Sequence, residues 1–358
     1  MKKSILIATV AATVCLLFAG NICAEDKEYH VGCAFATTGK ASWLGEPQKN
    51  TVEMIAKEIN DAGGINGHKL VLHIEDTQGD NTRAVNAVKK LIQKYKVSAI
   101  IGPSRSGTSM AVIPIVEANK IPLISCASAE IMLQPIEERK WVFKVAPNDS
   151  DAIRNIYDHI KARGIKKVGA ITGTTGFGAA GRKLLVDIAP EYGLEIVADE
   201  TYSPGDTDMT AQLINIKNAG AEAIVNWSIV PAQSIIPQNV QQLKIDIPLY
   251  QSHGFGNIKY AAAAGKSAEG TIFPCGRILA VDTLPDDNEQ KPVLKEYKTK
   301  YEKTYGDHVS TFGGHGYDSL HLIVNALKAV GDDPAKIRDY LETARFVGTA
   351  GIFQFSPT

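Results

Sequence analysis

The sequence predicts an α/β fold of two units in tandem, each a parallel sheet flanked by helices. Three observations carry that prediction. Short β-branched runs alternate with helical patterns along most of the chain, the rhythm of a parallel sheet buried under helices on both faces. The rhythm restarts after Asn148-Asp149. A length of 358 residues also suits two domains better than one.

The first unit opens with a strand over 29–35. A helix over 47–61 follows, stopped by Gly63-Gly64, and then a strand of alternating character over 68–75. Within 82–95, Val85, Val88, Leu91 and Ile92 repeat at helical spacing. A short buried strand over 97–101 ends at Gly102-Pro103, and a helix over 108–118 leads to a strand over 122–125. The second unit couples helix 151–162 to strand 167–172, helix 181–192 to 195–199, helix 209–219 to 223–227, and helix 231–243 to 248–251. After Gly276, helical stretches at 292–305 and 317–330 are too few for a third domain and are expected to return to the first unit. Ligands of open α/β sheets bind beyond the carboxyl ends of the strands. The site is therefore expected in the loops 37–45, 102–108, 125–129, 173–178, 227–230 and 251–256, which are rich in Ser, Thr, Gly and aromatic residues and poor in catalytic types.

Ahead of the first unit, Lys2 and Lys3 precede an apolar run over 5–18, with small residues at Cys23-Ala24. This is the anatomy of a secretory signal peptide cleaved after Ala24. The run is shorter than the ~20 residues a membrane span needs. A formal net charge of -1 implies no bulk attraction to nucleic acid or anionic lipid. Of five cysteines, Cys15 and Cys23 leave with the leader. Cys33, Cys126 and Cys275 match no metal spacing; an oxidising compartment permits one disulfide, and three buried small hydrophobes are the favoured expectation.

Two stretches imitate nucleotide motifs. Gly176-Phe177-Gly178-Ala179-Ala180-Gly181 matches GxGxxG, but its glycines start several residues after the strand ends, and an exported protein has left the dinucleotide pools behind. Ala264-Gly265-Lys266-Ser267 resembles the end of a phosphate loop, but Tyr260 stands where the first glycine belongs. No HExxH or zinc-spaced cluster is present, and Gly102-Pro-Ser104-Arg-Ser106 lacks the last glycine of a nucleophile elbow. No cofactor and no enzymatic activity are expected.

Several stretches together carry a family resemblance. They are Ala36-Thr37-Thr38-Gly39, the segment from Glu58 to Gly67, Ile100-Ile-Gly-Pro103 with Ser106, Pro122-Leu-Ile-Ser125, Asn148-Asp149 and Ala268-Glu269-Gly270. In order and spacing the chain resembles the periplasmic solute-binding proteins of branched-chain amino acid (Leu/Ile/Val) type ABC transporters over about 29–356. The resemblance implies two Rossmann-like lobes, the type I periplasmic binding protein fold, joined by a three-segment hinge with a ligand cleft between. It implies lobes at 25–146 plus 278–345 and 147–277 plus 346–358, with truncation of the second left open. Its partners would be a small carboxylate and an inner-membrane permease, with the protein a monomer in the periplasm. A sensor for a signalling receptor, or less readily an exported enzyme, stays open beside transport.

Site residues follow from the same resemblance. Ser106 matches the serine that binds the ligand carboxylate, and its place at a helix start suits an anion. Helix capping is its alternative role. Ala127, Ser128 and Ala129 match the small-residue loop that offers backbone N–H and hydroxyl contacts. Phe177 and Leu44 match residues that cover the ligand, with Trp43 beside Leu44 as a substitute. The departures concern the ammonium end. His253 stands where amino acid binders carry a glutamate, Ile229 replaces a tyrosine with Trp227 nearby, and Arg105 adds a cation. Glu130 is a substitute acid. An unpaired buried ammonium costs roughly 3–5 kcal/mol. The expectation is an apolar or aromatic carboxylate in preference to leucine.

Overall fold

The structure, a computed structural model, describes residues 28–356, and the leader read at 1–24 lies outside the described residues. Five parallel strands form the first sheet: β1 (Glu28–Phe35), β2 (Lys69–Asp76), β3 (Ala99–Ile101), β4 (Leu123–Ser125) and β5 (Val142–Lys144), in the order β2-β1-β3-β4-β5. Parallel neighbours need a crossover, and three helices supply most of these: α1 (Ser42–Asp61), α2 (Asn81–Gln93) and α3 (Ser106–Asn119). The second lobe repeats the theme. Strands β6 (Lys167–Gly173), β7 (Glu195–Tyr202), β8 (Ala223–Trp227) and β9 (Leu249–Gln251) pair in the order β7-β6-β8-β9, with α4 (Asp149–Ala162), α5 (Gly176–Ile188), α6 (Thr210–Asn218), α7 (Ile235–Gln242) and α8 (Ile258–Ala264) around them.

Each sheet sorts its side chains by the two-residue pleat. Val31, Cys33, Phe35, Ile101, Ile124 and Phe143 face a core shared with α1 and the returning C-terminal helices. Their neighbours Ala34, Ile100, Leu123 and Val142 face α2 and α3. In the second lobe Val168, Ala170, Val225 and Trp227 face α4 and α5, while Ile171, Ile224 and Leu249 face α6 and α7. Buried on both faces, the strands read as the near-continuous apolar runs of parallel sheets.

The chain returns to the first lobe as expected, through α9 (Lys291–Tyr305) and α10 (Thr311–Val330). A further helix, α11 (Pro334–Thr343), and a hairpin of β10 (Arg345–Val347) and β11 (Ile352–Gln354) complete it. Phe346, Phe353 and Phe355 pack on the first lobe's core, so the hairpin lies there and not on the second lobe to which 346–358 was assigned. The hairpin turn is tied down by Asp318 of α10, which accepts from Thr349 N at 2.6 Å, Thr349 Oγ1 at 3.1 Å and Ala350 N at 2.8 Å. Among the described residues, Cys33 and Cys126 are buried and unpaired, whereas Cys275 is exposed, against the expectation that all three are buried.

Three helices begin a turn or more earlier than periodicity predicts. Helix α1 starts at Ser42, not at residue 47, and α10 at Thr311, not at 317. Helix α5 starts at Gly176, so the GxGxxG glycines form its first turns and not a loop. Their smallness has a packing cause. A Cβ on Gly178 would lie 1.7 Å from the Gly173 carbonyl oxygen, and one on Gly181 would lie 2.0 Å from Trp227 Nε1.

Candidate ligand-binding site

Loops and helix ends from both lobes meet in direct contact. Helices α1 and α10 pack side by side on the first sheet, yet their first turns leave it. Leu44 and Phe312 enter one apolar cluster with Phe177, Trp227, Ile229 and Tyr260 of the second lobe. The amino ends of α3 and α5 meet so closely that a Cβ on Gly176 would lie 2.9 Å from Gly107 N. Lys259 of the second lobe reaches Glu46 at 3.5 Å and Asp307 at 3.3 Å. Thr311 Oγ1 donates to the Gly256 carbonyl at 3.0 Å.

One interlobe bond has its origin in a missing hydrogen. Pro47 lies inside α1 and has no N–H, so the carbonyl four residues earlier, that of Trp43, loses its helical partner. Asn257 Nδ2, from the cap of α8, donates to that oxygen at 2.8 Å. The Trp43 ring meets Tyr260 edge-on at 5.2 Å. Tyr260, the residue that spoils the phosphate-loop match, is buried and donates its hydroxyl to the Ile229 carbonyl at 2.9 Å.

The expected residues fall into two connected groups. Ser106 is the first residue of α3, but it caps nothing; the N-cap is Arg105. Its buried hydroxyl accepts from Ala129 N at 3.4 Å, which joins the two predicted first-lobe loops. Ala127 N donates to Ser125 Oγ at 3.2 Å. Ser128 Oγ lies 2.9 Å from His253 Nε2, a direct contact between the lobes. The ring of His253 stands edge-on to Phe177 and to Trp227, with centroids 5.4 Å away in both cases, and those two rings stack at 5.6 Å. Arg105 instead reaches away from Ser128 and donates from Nη1 to the Gly79 carbonyl at 3.2 Å. Glu130 is no substitute acid for a ligand. It accepts from Ser150 N at 3.2 Å and Ser150 Oγ at 2.7 Å, a strap onto α4.

Behind His253 lies an unusual set of buried ionisable groups. Asp149 is fully buried, and neither carboxylate oxygen has a hydrogen-bond partner; His253 Nε2 is 3.5 Å from Oδ1. Burial drives its pKa up to about 8 against the pull of Lys144. Lys144, which donates to the Ala146 carbonyl, is pushed down to about 8 by burial. His253 and His315 are both pushed down to about 3, chiefly by burial, with Lys144 adding to the effect. Both imidazoles are therefore neutral at physiological pH, and each has an unpartnered Nδ1.

One cavity opens beside this cluster, and a second lies at the amino ends of α3 and α5. The first, with about 760 Å³ of empty space counting its open mouth, is lined by Ala127, Ser128, Ile229, His253, Phe312 and His315 among others. The second, about 710 Å³ on the same measure, is lined by Arg105, Ser106 and Phe177 with Thr174 and Thr175. Trp43, Leu44, Ala129 and Trp227 line neither space; they form the wall behind. Asp149, Thr311, Phe312 and His315 were not expected in the site. Asp149 belongs to the Asn148-Asp149 dipeptide at which the rhythm of the sequence restarts, but the other three arrive on a helix whose start periodicity misplaces.

Residues 28–358 match the family model of the periplasmic binding proteins. The chain belongs to that family. It is 22% identical to the Leu/Ile/Val-binding protein homolog 3 of Brucella melitensis, over 99% of this chain and 93% of the relative. Among solved structures, an extracellular ligand-binding receptor from Rhodopseudomonas palustris HaA2 superposes with a TM-score of 0.86 at 29% identity, covering 92% of this chain and 93% of that one. The branched-chain amino acid transporter substrate binding protein LivJ from Streptococcus pneumoniae, in complex with isoleucine, gives 0.81 at 26% identity, with 92% of each chain covered. The solute binding protein of an ABC transporter from Rhodopseudomonas palustris BisB5, in complex with 3,4-dihydroxy benzoic acid, shares the fold at 0.80 and 19% identity, over 93% of this chain and 90% of that one. The fold is thus that of type I periplasmic binding proteins, a family of solute-binding components of transporters. Among the described residues no helix is long and apolar enough to cross a membrane.

Proposed function

We propose that this periplasmic binding protein captures a small carboxylate by closing its lobes and hands it to an inner-membrane ABC permease, without chemical change to the solute. One observation carries the reading: residues of both lobes line the same two cavities, Ser106 with Phe177 in one and Ser128 with His253 in the other. The first turn of α3 supplies free N–H groups and the positive end of a helix beside Ser106, the environment of a carboxylate. Ala127 and Ala129 keep the loop small enough for backbone contact, Phe177 covers the solute, and Leu44, Trp43 and Trp227 back that cover from behind. Arg105 adds positive charge at the second cavity. Lobe limits at 25–146 plus 278–345 and 147–277 are part of the proposal, with the hairpin moved to the first lobe. The mature protein acts as a monomer, exported by its leader. Ligand shifts the population toward the closed form, and the permease reads the paired surfaces.

His253 in place of an acid favours an apolar or aromatic carboxylate over leucine. Thermal-shift screening of amino acids against aromatic and aliphatic acids tests this directly; stabilisation by leucine-like amino acids alone defeats the preference. Ser106→Ala is expected to weaken any carboxylate by about tenfold, the worth of one hydrogen bond to a charged group. Unchanged affinity in calorimetry removes Ser106 from the site.

A further inference from the structure

We infer that the solute carries a second carboxylate, received by Arg105 at the more exposed end of the cavity whose buried end is Ser106: a small dicarboxylate with an apolar span between its two acids. The inference deepens the carboxylate-receptor reading and rests on it. Arg105 and Ser106 are neighbours in sequence and line one cavity, yet they reach for different loops. Ser106 turns its buried hydroxyl to Ala129 N at 3.4 Å. Arg105 lies along Gly79 and donates from Nη1 to the Gly79 carbonyl at 3.2 Å. A guanidinium is a planar fork of donors, so most of this fork is left over. It also lacks a counter-ion. Burial lowers its pKa, Tyr260 alone acts against that, and among the described residues no carboxylate does. Arginine keeps its charge even so. A cation largely withdrawn from water without a partner is costly, and an anion from solution removes that cost.

The charges around the cavity point the same way. Lys40 of the first lobe brings its ammonium to the rim of the second, where a Cβ on Gly205 would lie 3.6 Å from Nζ, next to Pro204 of the lining. Asp80 is the one acid in the lining, and it is engaged: as the N-cap of α2 it accepts from Arg83 N at 2.8 Å. Asp206, just past Pro204, accepts from Ser203 N at 2.7 Å. An ammonium would meet two cations here, and only acids already holding the backbone. A neutral group would leave the Arg105 charge unanswered. A carboxylate fits the fork with two parallel bonds. Phe177 and Pro204 give the space between an apolar wall. Arg105 and Ser106 come from the first lobe, Thr174, Thr175 and Phe177 from the second, so a solute held at both ends also ties the lobes together.

Calorimetric titration of the whole protein with two matched series tests the inference: hexanoate, adipate and ω-aminohexanoate, and benzoate, terephthalate and para-(aminomethyl)benzoate. At least one diacid is expected to bind about tenfold or more tightly than the monoacid of its series, the worth of hydrogen bonds to a charged group. Both ammonium-bearing compounds are expected to bind more weakly than the monoacids. In Arg105→Gln the preference for the diacid falls toward parity, and Arg105→Lys, which keeps the charge and loses the fork, retains part of it. The series on the unaltered protein stands by itself where neither variant folds. Phosphate added at constant ionic strength separates the sources of the anion: a monoacid that gains about tenfold from it places a free anion at Arg105 and overturns the assignment to the solute. Diacids that bind no more tightly than their monoacids, or tighter binding of an ammonium-bearing compound, also overturn it, and leave the receptor reading intact. Absence of binding by every carboxylate in both series overturns both.

Discussion

His253 sits between Ser128 of the first lobe and Asp149 of α4, and its surroundings make the protein sensitive to acid. A free histidine takes up a proton near 6.5, but in the closed protein His253 does so only near about 3. Between those values the unfolded chain holds a proton that the closed form refuses, so stability falls as pH drops through the window. His315, also lowered to about 3, acts in the same direction. Asp149 opposes them: raised from 3.8 to about 8, it holds a proton in the closed form that the unfolded chain has lost, so its contribution grows as pH falls toward 3.8. Lys144, lowered to about 8, has completed its penalty before neutrality is reached. Between pH ~4 and ~6 the cluster therefore nets about one proton, two histidines less one aspartate, or about 1.4 kcal/mol per pH unit. His253→Gln is expected to flatten that part of the stability curve by about the same slope. Urea midpoints at a series of pH values measure it; parallel curves for both proteins would assign the acid sensitivity elsewhere.

Helix α5 lies against β8 through Gly181, where Trp227 fills the space a side chain would need. Gly181→Ala is expected to destabilise the second lobe by about 1–3 kcal/mol through overpacking, in spite of alanine's better helix propensity. Chemical denaturation that shows a gain in stability would mean the indole moves freely. The hairpin depends in a similar way on Asp318, whose buried carboxylate accepts three bonds from Thr349 and Ala350. Asp318→Ala is expected to cost about 2–4 kcal/mol and to free the β10–β11 turn for amide exchange. These elements also show what periodicity can and cannot say. Strands buried on both faces and helices with an apolar stripe declare themselves by side-chain spacing, so β1, β6, β8 and α2 are legible to within a few residues. The first turns of α5 and α10 run through Gly176, Gly178 and Gly181 and through Gly313, Gly314 and Gly316, which display no stripe at all. Strand β5 is too short, at 3 residues, to have a period. Ser106, Ser128 and His253 are visible because they follow strands in sequence. Thr311 and His315 join them only through the chain's late return to the first lobe.

The two lobes of the molecule are held together by a modest set of contacts, among them the Ser128–His253 bond, the Thr311–Gly256 bond, the Glu130–Ser150 strap, the Lys259 ion pairs, the Leu44 and Phe312 anchors, and the Asn257 bond to the Trp43 carbonyl. Exposed ion pairs contribute little, about 0–1 kcal/mol, so the apolar anchors and the buried polar bonds set the balance. Asn257→Ala removes one such bond, worth about 0.5–1.5 kcal/mol, and is expected to weaken solute affinity about two- to tenfold by disfavouring closure. Small-angle scattering of the ligand-free variant should then report a larger radius of gyration, whereas an unaltered profile would show that this bond does not bear on opening. The imino acid at Pro47 gives the contact a further meaning. Any ordinary residue there, alanine for instance, restores an amide hydrogen to the helix and lets Trp43 O bond inward. Such a substitution tightens α1 and at the same time makes Asn257 share the Trp43 oxygen with a second donor, so that a sturdier helix and a weaker grip on the solute come from one change.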